Sequence, residues 1–124
     1  MSVRLAIPVR DSNGVKTQLA QHFGRAPYFA VVELDEAGEV SNLQIVPNKS
    51  EHFGGRGKPP EILINLNADA IVTYGMGTRA LNMFQRADTA VLKTDRGTVE
   101  GVIEAYNKDQ LIELTEGCHH AKHK

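Results

Sequence analysis

Cysteine is nearly absent from this chain, since only one thiol, Cys118, occurs among its 124 residues. A single cysteine cannot form an intramolecular disulfide, which excludes a disulfide framework and favours a reducing compartment. It also excludes a self-sufficient iron–sulfur centre, because such clusters are normally held by about four thiolates.

The chain also lacks a charge excess and long hydrophobic runs. Its 14 basic and 15 acidic residues give a formal net charge of -1, so no overall field would draw it to nucleic acid or to an anionic membrane. The early apolar run Leu5–Val9 is far shorter than a signal-peptide core or a membrane span. We therefore expect a cytoplasmic protein with neither nucleic acid nor a membrane as its partner.

The length fits one domain, and a chain of this size buries roughly two-thirds of its unfolded surface on folding. We expect a single domain over residues 1–116 and a flexible tail rich in cysteine and histidine over residues 117–124. No composition shift between them indicates a linker.

Hydrophobic patterning predicts an α/β fold. A β-strand is followed by a β-hairpin and then by an αβαβα order, which implies parallel strands in the second half and an antiparallel edge from the hairpin. The result would be a mixed five-stranded sheet with helices packed on it. The predicted strands are Val3–Val9, Tyr28–Leu34, Val40–Val46, Ala70–Thr73 and Thr89–Leu92, and the predicted helices are Pro59–Leu66, Thr78–Arg86 and Thr98–Tyr106, with a short helical turn at Gln18–Gln21.

A glycine-rich turn, Gly75-Met76-Gly77-Thr78-Arg79-Ala80, stands between a predicted strand and a predicted helix. It fits the degenerate G-x-G-x-x-A form of the dinucleotide pattern, and Asp95 lies about 20 residues further on. Backbone amides at a helix start attract anions. A full dinucleotide domain needs two βαβ halves, however, and this chain has room for about one. NAD binding, contact with an anion or cluster, and a plain tight turn all stay open.

The five histidines all fall in predicted loops or in the tail. His22 and His52 each precede Phe-Gly, and an arginine, Arg25 or Arg56, follows closely. Imidazole can ligate metal, and a guanidinium can bind the oxygen or sulfide charge of an anionic ligand. The alternative interpretation is that His22 and His52 are two solvated loop histidines.

The tail contains Cys118, His119, His120 and His123, a soft and borderline ligand set suited to Zn, Cu or Ni. Terminal tails also bind metals adventitiously. A functional metal role, an ordered structural metal site and a mobile tail are all compatible with this composition.

Motifs for covalent or metal-dependent catalysis are missing. The sequence contains no G-x-S-x-G elbow, no H-E-x-x-H and no P-loop. The first predicted strand, Val3–Val9, offers no carboxylate to hold the magnesium of a nuclease. We therefore expect that the protein is not an enzyme.

Several sequence blocks together carry a family resemblance. They are Ala6-Ile7-Pro8-Val9, His22-Phe23-Gly24-Arg25-Ala26-Pro27-Tyr28-Phe29, Asn48, the loop Gly54-Gly55-x-Gly57, Val72-Thr73-Tyr74-Gly75-Met76-Gly77-Thr78-Arg79-Ala80, and the Cys/His tail. With these blocks the chain resembles, over about its whole length, the dinitrogenase iron–molybdenum cofactor biosynthesis family, which includes NifX-like proteins and the C-terminal domain of NifB.

The resemblance implies a ribonuclease H-like three-layer α/β fold without nuclease activity. It also implies binding or carrying of a preassembled metal–sulfur cluster, either an iron–molybdenum cofactor precursor or a sulfide of molybdenum with copper or iron. The residues that would bind it are of two kinds. His22, Phe23, Gly24, Arg25, Gly75, Met76, Gly77, Thr78 and Arg79 lie in the two blocks that match the family by position, whereas His52, Gly54, Gly55 and Arg56 lie in the middle loop, which is a weaker match. The residues that would ligate metal are His22, His52, Cys118, His119, His120 and His123.

The cysteine count agrees with a carrier. A protein that cannot supply four thiolates must receive a cluster that brings its own sulfide, and would hold it by a few ligands and by anion complementarity. We expect the cluster and its donor or acceptor proteins as partners, and a monomer or a small homo-oligomer. The alternatives are a small nucleotide- or nicotinamide-binding enzyme that uses the Gly75–Ala80 turn, and a protein-interaction domain whose tail binds metal incidentally.

Overall fold

Six strands and three α-helices make up the part of the chain that the computed structural model describes, residues 2–48 and 59–114. The predicted α/β class and the order of the five predicted strands and three predicted helices are confirmed, with no boundary shifted by more than one residue. The strands are β1 (Val3–Val9), β2 (Tyr28–Leu34), β3 (Val40–Pro47), β4 (Ala70–Thr73), β5 (Ala90–Lys93) and β6 (Ile112–Glu113), and the helices are α1 (Pro59–Asn65), α2 (Thr78–Arg86) and α3 (Val99–Asn107).

The strands form one mixed sheet in the order β3-β2-β1-β4-β5-β6. β1 is parallel to β4, with Ala6 opposite Ile71, and β4 is parallel to β5. β2 and β3 pair antiparallel as a hairpin, and β2 pairs antiparallel with β1. Gly38 in the hairpin turn has a φ of 84°, the left-handed conformation that glycine adopts without strain. The predicted parallel half and antiparallel edge are therefore confirmed.

Within residues 2–48 and 59–114 the sheet already has six strands, so the prediction of five was wrong. Ile112 pairs antiparallel with Lys93 of β5, and the backbone N–H of Leu114 donates to the carbonyl oxygen of Val91 at 2.7 Å. A strand of two residues is too short to show a hydrophobic period, and it forms because β5 offers a free backbone edge. The division at residues 116 and 117 stays a prediction, since residues 115–124 lie outside the described part. The ribonuclease H-like label also stays a prediction.

Helices pack on both faces of the sheet. On one face α1 and α2 bury Leu63, Leu81 and Phe84 against Ile71. On the opposite face α3 buries Val99 and Val102 in a second cluster with Leu5, Ile7 and Val72. The core positions of β1 are fully buried, as its continuous apolar run predicts for a central strand.

The helix α3 begins with a side-chain cap. Thr98 is the N-cap of α3, and its side-chain oxygen accepts a hydrogen bond from the backbone N–H of Gly101 at 3.1 Å. This bond satisfies one of the amides that a helix start leaves without an intrahelical partner.

The segment Gln18–Gln21 is extended, so the predicted helical turn there was wrong. Gln18 and Leu19 form isolated antiparallel bridges with Thr98 and Val9, and the only helical residues nearby are the 3₁₀ turn Gly14–Lys16. The N–H of Leu19 donates to Gly97 at 3.0 Å. Backbone partners from two distant parts of the chain outweigh the weak local preference for a helical turn.

The strand directions bring several loops together. β1, β3, β4 and β5 end, and β2 begins, at the same edge of the sheet, which we call the carboxyl edge. The segment between β1 and β2, Asn48, the β4–α2 turn and the β5–α3 loop all lie there. No helix within residues 2–48 and 59–114 is long and apolar enough to cross a membrane.

Candidate functional site

Phe23 attaches the first His-Phe-Gly block to the core at the carboxyl edge. Its side chain is buried, and its ring centroid lies 5.6 Å from that of Phe29 and 5.7 Å from that of Phe84. The Phe84 ring meets it edge-to-face, a favourable arrangement for aromatic pairs. His22, directly before Phe23, is exposed. The buried Phe23 ring therefore fixes the backbone next to the exposed imidazole of His22.

Asn48, which directly follows β3, holds the same loop through hydrogen bonds to its backbone. Its side chain is buried, and its Nδ2 donates to the carbonyl oxygens of Ala26 at 2.8 Å and Gly24 at 3.4 Å. Its backbone N–H donates to the carbonyl oxygen of Pro27 at 2.9 Å. Asn48 belongs to the sequence blocks that carry the family resemblance, but it was not predicted as a site residue. Its position two residues after the predicted strand Val40–Val46 was the available signal.

The residues held in this way differ in exposure. Gly24 is half-buried and Ala26 is buried, whereas Arg25 between them is exposed. In the described part of the chain Arg25 makes no ion pair, and neither does Arg79. His22 and Arg25 therefore stand at the surface of a loop whose backbone is fixed on both sides.

The Gly75–Arg79 turn lies at the same edge, between β4 and α2. The hydroxyl of Thr73, which is fully buried, donates to the carbonyl oxygen of Gly75 at 3.2 Å. Gly77 is the N-cap of α2 and offers no side-chain cap, and the first turn of the helix contains no acidic residue. Unneutralised amides at a helix start favour a negatively charged group.

The side chains of this turn divide between the core and the surface. Met76 is 3% exposed and belongs to the core cluster that contains Phe23 and Phe84. Thr78 and Arg79 are exposed, as is Gly77. The Met76 side chain thus packs inside the protein, and the exposed part of the turn is residues 77–79.

The β5–α3 loop is braced by Arg96. Its guanidinium donates to Glu104 Oε1 at 3.0 Å and to Gln110 Oε1 at 2.6 Å. The hydrogen bond from Arg96, followed by one from Lys108, lowers the pKa of Glu104 below its ordinary value. Since Arg96 is occupied by these partners, its role at the carboxyl edge is structural.

Most of the predicted metal ligands lie outside the residues that the structure describes. Among residues 2–48 and 59–114, no group of three or more His, Cys, Asp or Glu side chains could hold a metal ion, and His22 is the only predicted ligand there. The other predicted site residues lie outside the described residues and stay predictions: His52, Gly54, Gly55, Arg56, Cys118, His119, His120 and His123.

Known proteins resemble this chain in both sequence and fold. An uncharacterized protein from Methanocaldococcus jannaschii is 29% identical over 111 residues, covering 88% of this chain and 89% of the relative. The crystal structure of PH0822 is 29% identical, with a TM-score of 0.76 over 91% of this chain and 97% of that one. The NMR structure of a Thermotoga protein described as a candidate NifB protein is 26% identical, with a TM-score of 0.72 over 91% and 94% of the two chains.

The family model described as "Dinitrogenase iron-molybdenum cofactor" matches residues 1–109. That span includes the His22–Phe29 block, the Gly75–Arg79 turn and the whole sheet except β6. This chain therefore belongs to the dinitrogenase iron–molybdenum cofactor family.

Proposed function

We propose that this protein binds a preassembled metal–sulfur cluster as cargo and hands it on without catalysing a reaction. The observation that carries the proposal is the pair of exposed residues His22 and Arg25 on a loop anchored by Phe23 and Asn48. This loop lies at the same sheet edge as the uncapped start of α2. Family membership adds the class of cargo, since the family is named for the iron–molybdenum cofactor.

The chemistry of these groups suits an anionic cluster. An imidazole side chain such as that of His22 can ligate iron, copper and related metals. The Arg25 and Arg79 guanidiniums donate charge-assisted hydrogen bonds to sulfide or oxygen. The amides at the start of α2 favour negative charge without a side chain. A cluster bringing its own sulfide would need few ligands from the protein.

Exposure favours transfer rather than permanent storage. His22, Arg25 and Arg79 are all exposed, so a bound cluster would be held at the surface and screened by solvent. Interactions of this kind are individually weak, which permits release to an acceptor protein. The proposal includes cytoplasmic donor and acceptor proteins as partners, and a cargo of molybdenum with iron or copper.

Anaerobic loading tests the proposal. The purified full-length chain is mixed with tetrathiomolybdate and either copper(I) or iron(II), desalted, and analysed for metal, acid-labile sulfide and visible absorption. We expect metal and sulfide to stay with the protein and to give a sulfide-to-metal charge-transfer band. A protein fraction that is colourless and free of metal after desalting with every combination would overturn the cluster-binding function.

Substitutions at exposed residues test whether the loop that contains His22 binds the cargo. We expect His22→Ala to weaken retention about tenfold while leaving the free energy of unfolding within about 0.5 kcal/mol, because the side chain is exposed. Gln21→Ala is the matched control, since Gln21 is the exposed neighbour of His22. Equal retention by both variants would remove His22 from the site.

Neither the family match nor the similar proteins described above support a nucleotide- or nicotinamide-binding enzyme. Titration calorimetry with NAD and ATP is the direct check, and we expect no heat of binding. Saturable binding of either nucleotide, abolished by a bulky substitution at Gly77, would favour that alternative instead.

A further inference from the structure

We infer that Asn48 is a positioning residue that fixes the direction in which Arg25 meets the cargo. The inference rests on the proposed function, because it concerns the same loop at the carboxyl edge. Asn48 itself is buried and does not need to touch the cluster.

The geometry of the amide carries the inference. Asn48 Nδ2 donates to the carbonyl oxygen of Ala26 at 2.8 Å and to that of Gly24 at 3.4 Å, so its two acceptors lie on either side of Arg25. One amide group therefore restrains the backbone immediately before and after the exposed guanidinium. The Asn48 N–H, which donates to Pro27 at 2.9 Å, ties the same residue into the end of the β2–β3 ladder.

Burial makes these hydrogen bonds restrictive. Asn48 is 4% exposed, and a buried amide or carbonyl that loses its partner is poorly compensated by water. The loop backbone is thus held in one arrangement by a side chain 22 residues away. His22 is held differently, through the ring of its neighbour Phe23. The two exposed groups have separate anchors, which allows the contribution of Asn48 to be isolated.

The test is a double-mutant cycle on cargo retention, with tetrathiomolybdate and copper(I) as the probe. Asn48→Leu removes the amide while keeping the branched shape of the side chain and adding no charge. We expect it to weaken retention about fivefold in the wild-type and Arg79→Ala backgrounds, no more than the loss of Arg25 itself, and less than twofold in the Arg25→Ala background, since the residue it positions is then absent. An equal loss in all three backgrounds, or no loss in any, would overturn the inference.

Asn107→Leu is the matched control. Asn107 Nδ2 also donates to a carbonyl oxygen, that of Gly38 at 2.8 Å, but at the opposite edge of the sheet. We expect this variant to leave cargo retention unchanged. If Asn48→Leu does not fold, Asn48→Ser, a smaller polar replacement, takes its place in the same cycle.

A measurement without cargo separates this inference from the proposed function. The Ala26 N–H donates to the carbonyl oxygen of Phe23 within the loop, and its hydrogen exchange reports the order of that backbone. We expect about tenfold faster exchange at Ala26 in Asn48→Leu and no change at Leu81, whose N–H bonds Gly77 in α2. Unchanged exchange at Ala26 would refute positioning by Asn48 even if the wild-type protein binds the cluster. Failure of the wild-type protein to retain cargo would refute the proposed function alone.

Discussion

Phe23 and Phe84 meet edge-to-face, with ring centroids 5.7 Å apart and ring planes at 82°. Phe23 belongs to the loop that carries His22 and Arg25, whereas Phe84 belongs to α2, which begins at the Gly75–Arg79 turn. The aromatic contact therefore joins the two sequence blocks of the candidate site through the core. The positions of the exposed groups depend on packing beneath them.

Removal of the Phe23 ring should both destabilise the protein and weaken cargo binding. We expect Phe23→Ala to lower the free energy of unfolding by about 3–5 kcal/mol, because it leaves a cavity at a buried site. Urea unfolding measures the loss. Phe23→Leu fills most of the space and should lose much less. A loss below about 1 kcal/mol for Phe23→Ala would show that the ring does not hold the loop in the core.

The two exposed arginines should act through charge. Arg25→Ala and Arg79→Ala are each expected to weaken cargo retention up to about fivefold at low salt, and the difference from wild type should shrink as salt screens the interaction. Arg86→Ala is the matched control, because Arg86 is exposed in the last turn of the same helix as Arg79, away from the carboxyl edge. A salt-independent loss, or the same loss in Arg86→Ala, would contradict an electrostatic role.

A capping carboxylate at Gly77 should improve folding and oppose binding. A Cβ at this position would meet no atom within 4 Å in the described structure, and the φ of -67° suits any residue. Gly77→Asp supplies the missing cap of α2 and should raise the free energy of unfolding by a few tenths of a kcal/mol. The same charge should repel an anionic cluster and lower its retention.

Gly77→Ser is the matched control, since a serine also caps a helix but adds no charge. We expect it to match the stability of Gly77→Asp closely and to retain more cargo. If Gly77→Asp binds the cluster as well as wild type does, the start of α2 is not part of the site.

The Glu104 carboxyl should contribute to stability in a pH-dependent way. Arg96, and then Lys108, lower its pKa in the folded protein from the ordinary value of 4.5. A lowered pKa means that the carboxylate favours the folded state above 4.5, and that this contribution disappears as the pH falls through the folded-state pKa. The difference in the free energy of unfolding between wild type and Glu104→Gln, measured by urea unfolding, should therefore be larger at neutral pH than in acid. An equal difference at both pH values would contradict the prediction.

Much of the fold could be predicted from local patterns. The unbroken apolar run of β1 indicated a central strand buried on both faces, and the structure confirms it. The hairpin of β2 and β3 and the helix α3 were also predicted, and each has a local determinant in the structure: the positive φ of Gly38 in the hairpin turn and the Thr98 cap at the helix start. These predictions succeeded because the determining interactions lie within a few residues of one another.

The two wrong predictions, the missed strand β6 and the helical turn at Gln18–Gln21, share a different physical cause. β6 is only two residues long and exists because β5 offers it backbone partners. Gln18 and Leu19 are extended because Thr98 and Val9 supply bridges from distant parts of the chain. In each case long-range backbone hydrogen bonding outweighs a weak local preference, and a local pattern contains no information about which distant partner will be present.

The sequence by itself determined the family, the central strand and which residue types are available to bind the proposed metal–sulfur cargo. Only the tertiary structure decided how those residues are divided between core and surface. Met76 and Phe23 pack in the core, whereas His22 and Arg25 are exposed. The physical reason is that the strands converge at one edge, where residues distant in sequence hold the loop at different points. Asn48 donates hydrogen bonds to the loop backbone, and Phe84 packs against the Phe23 ring.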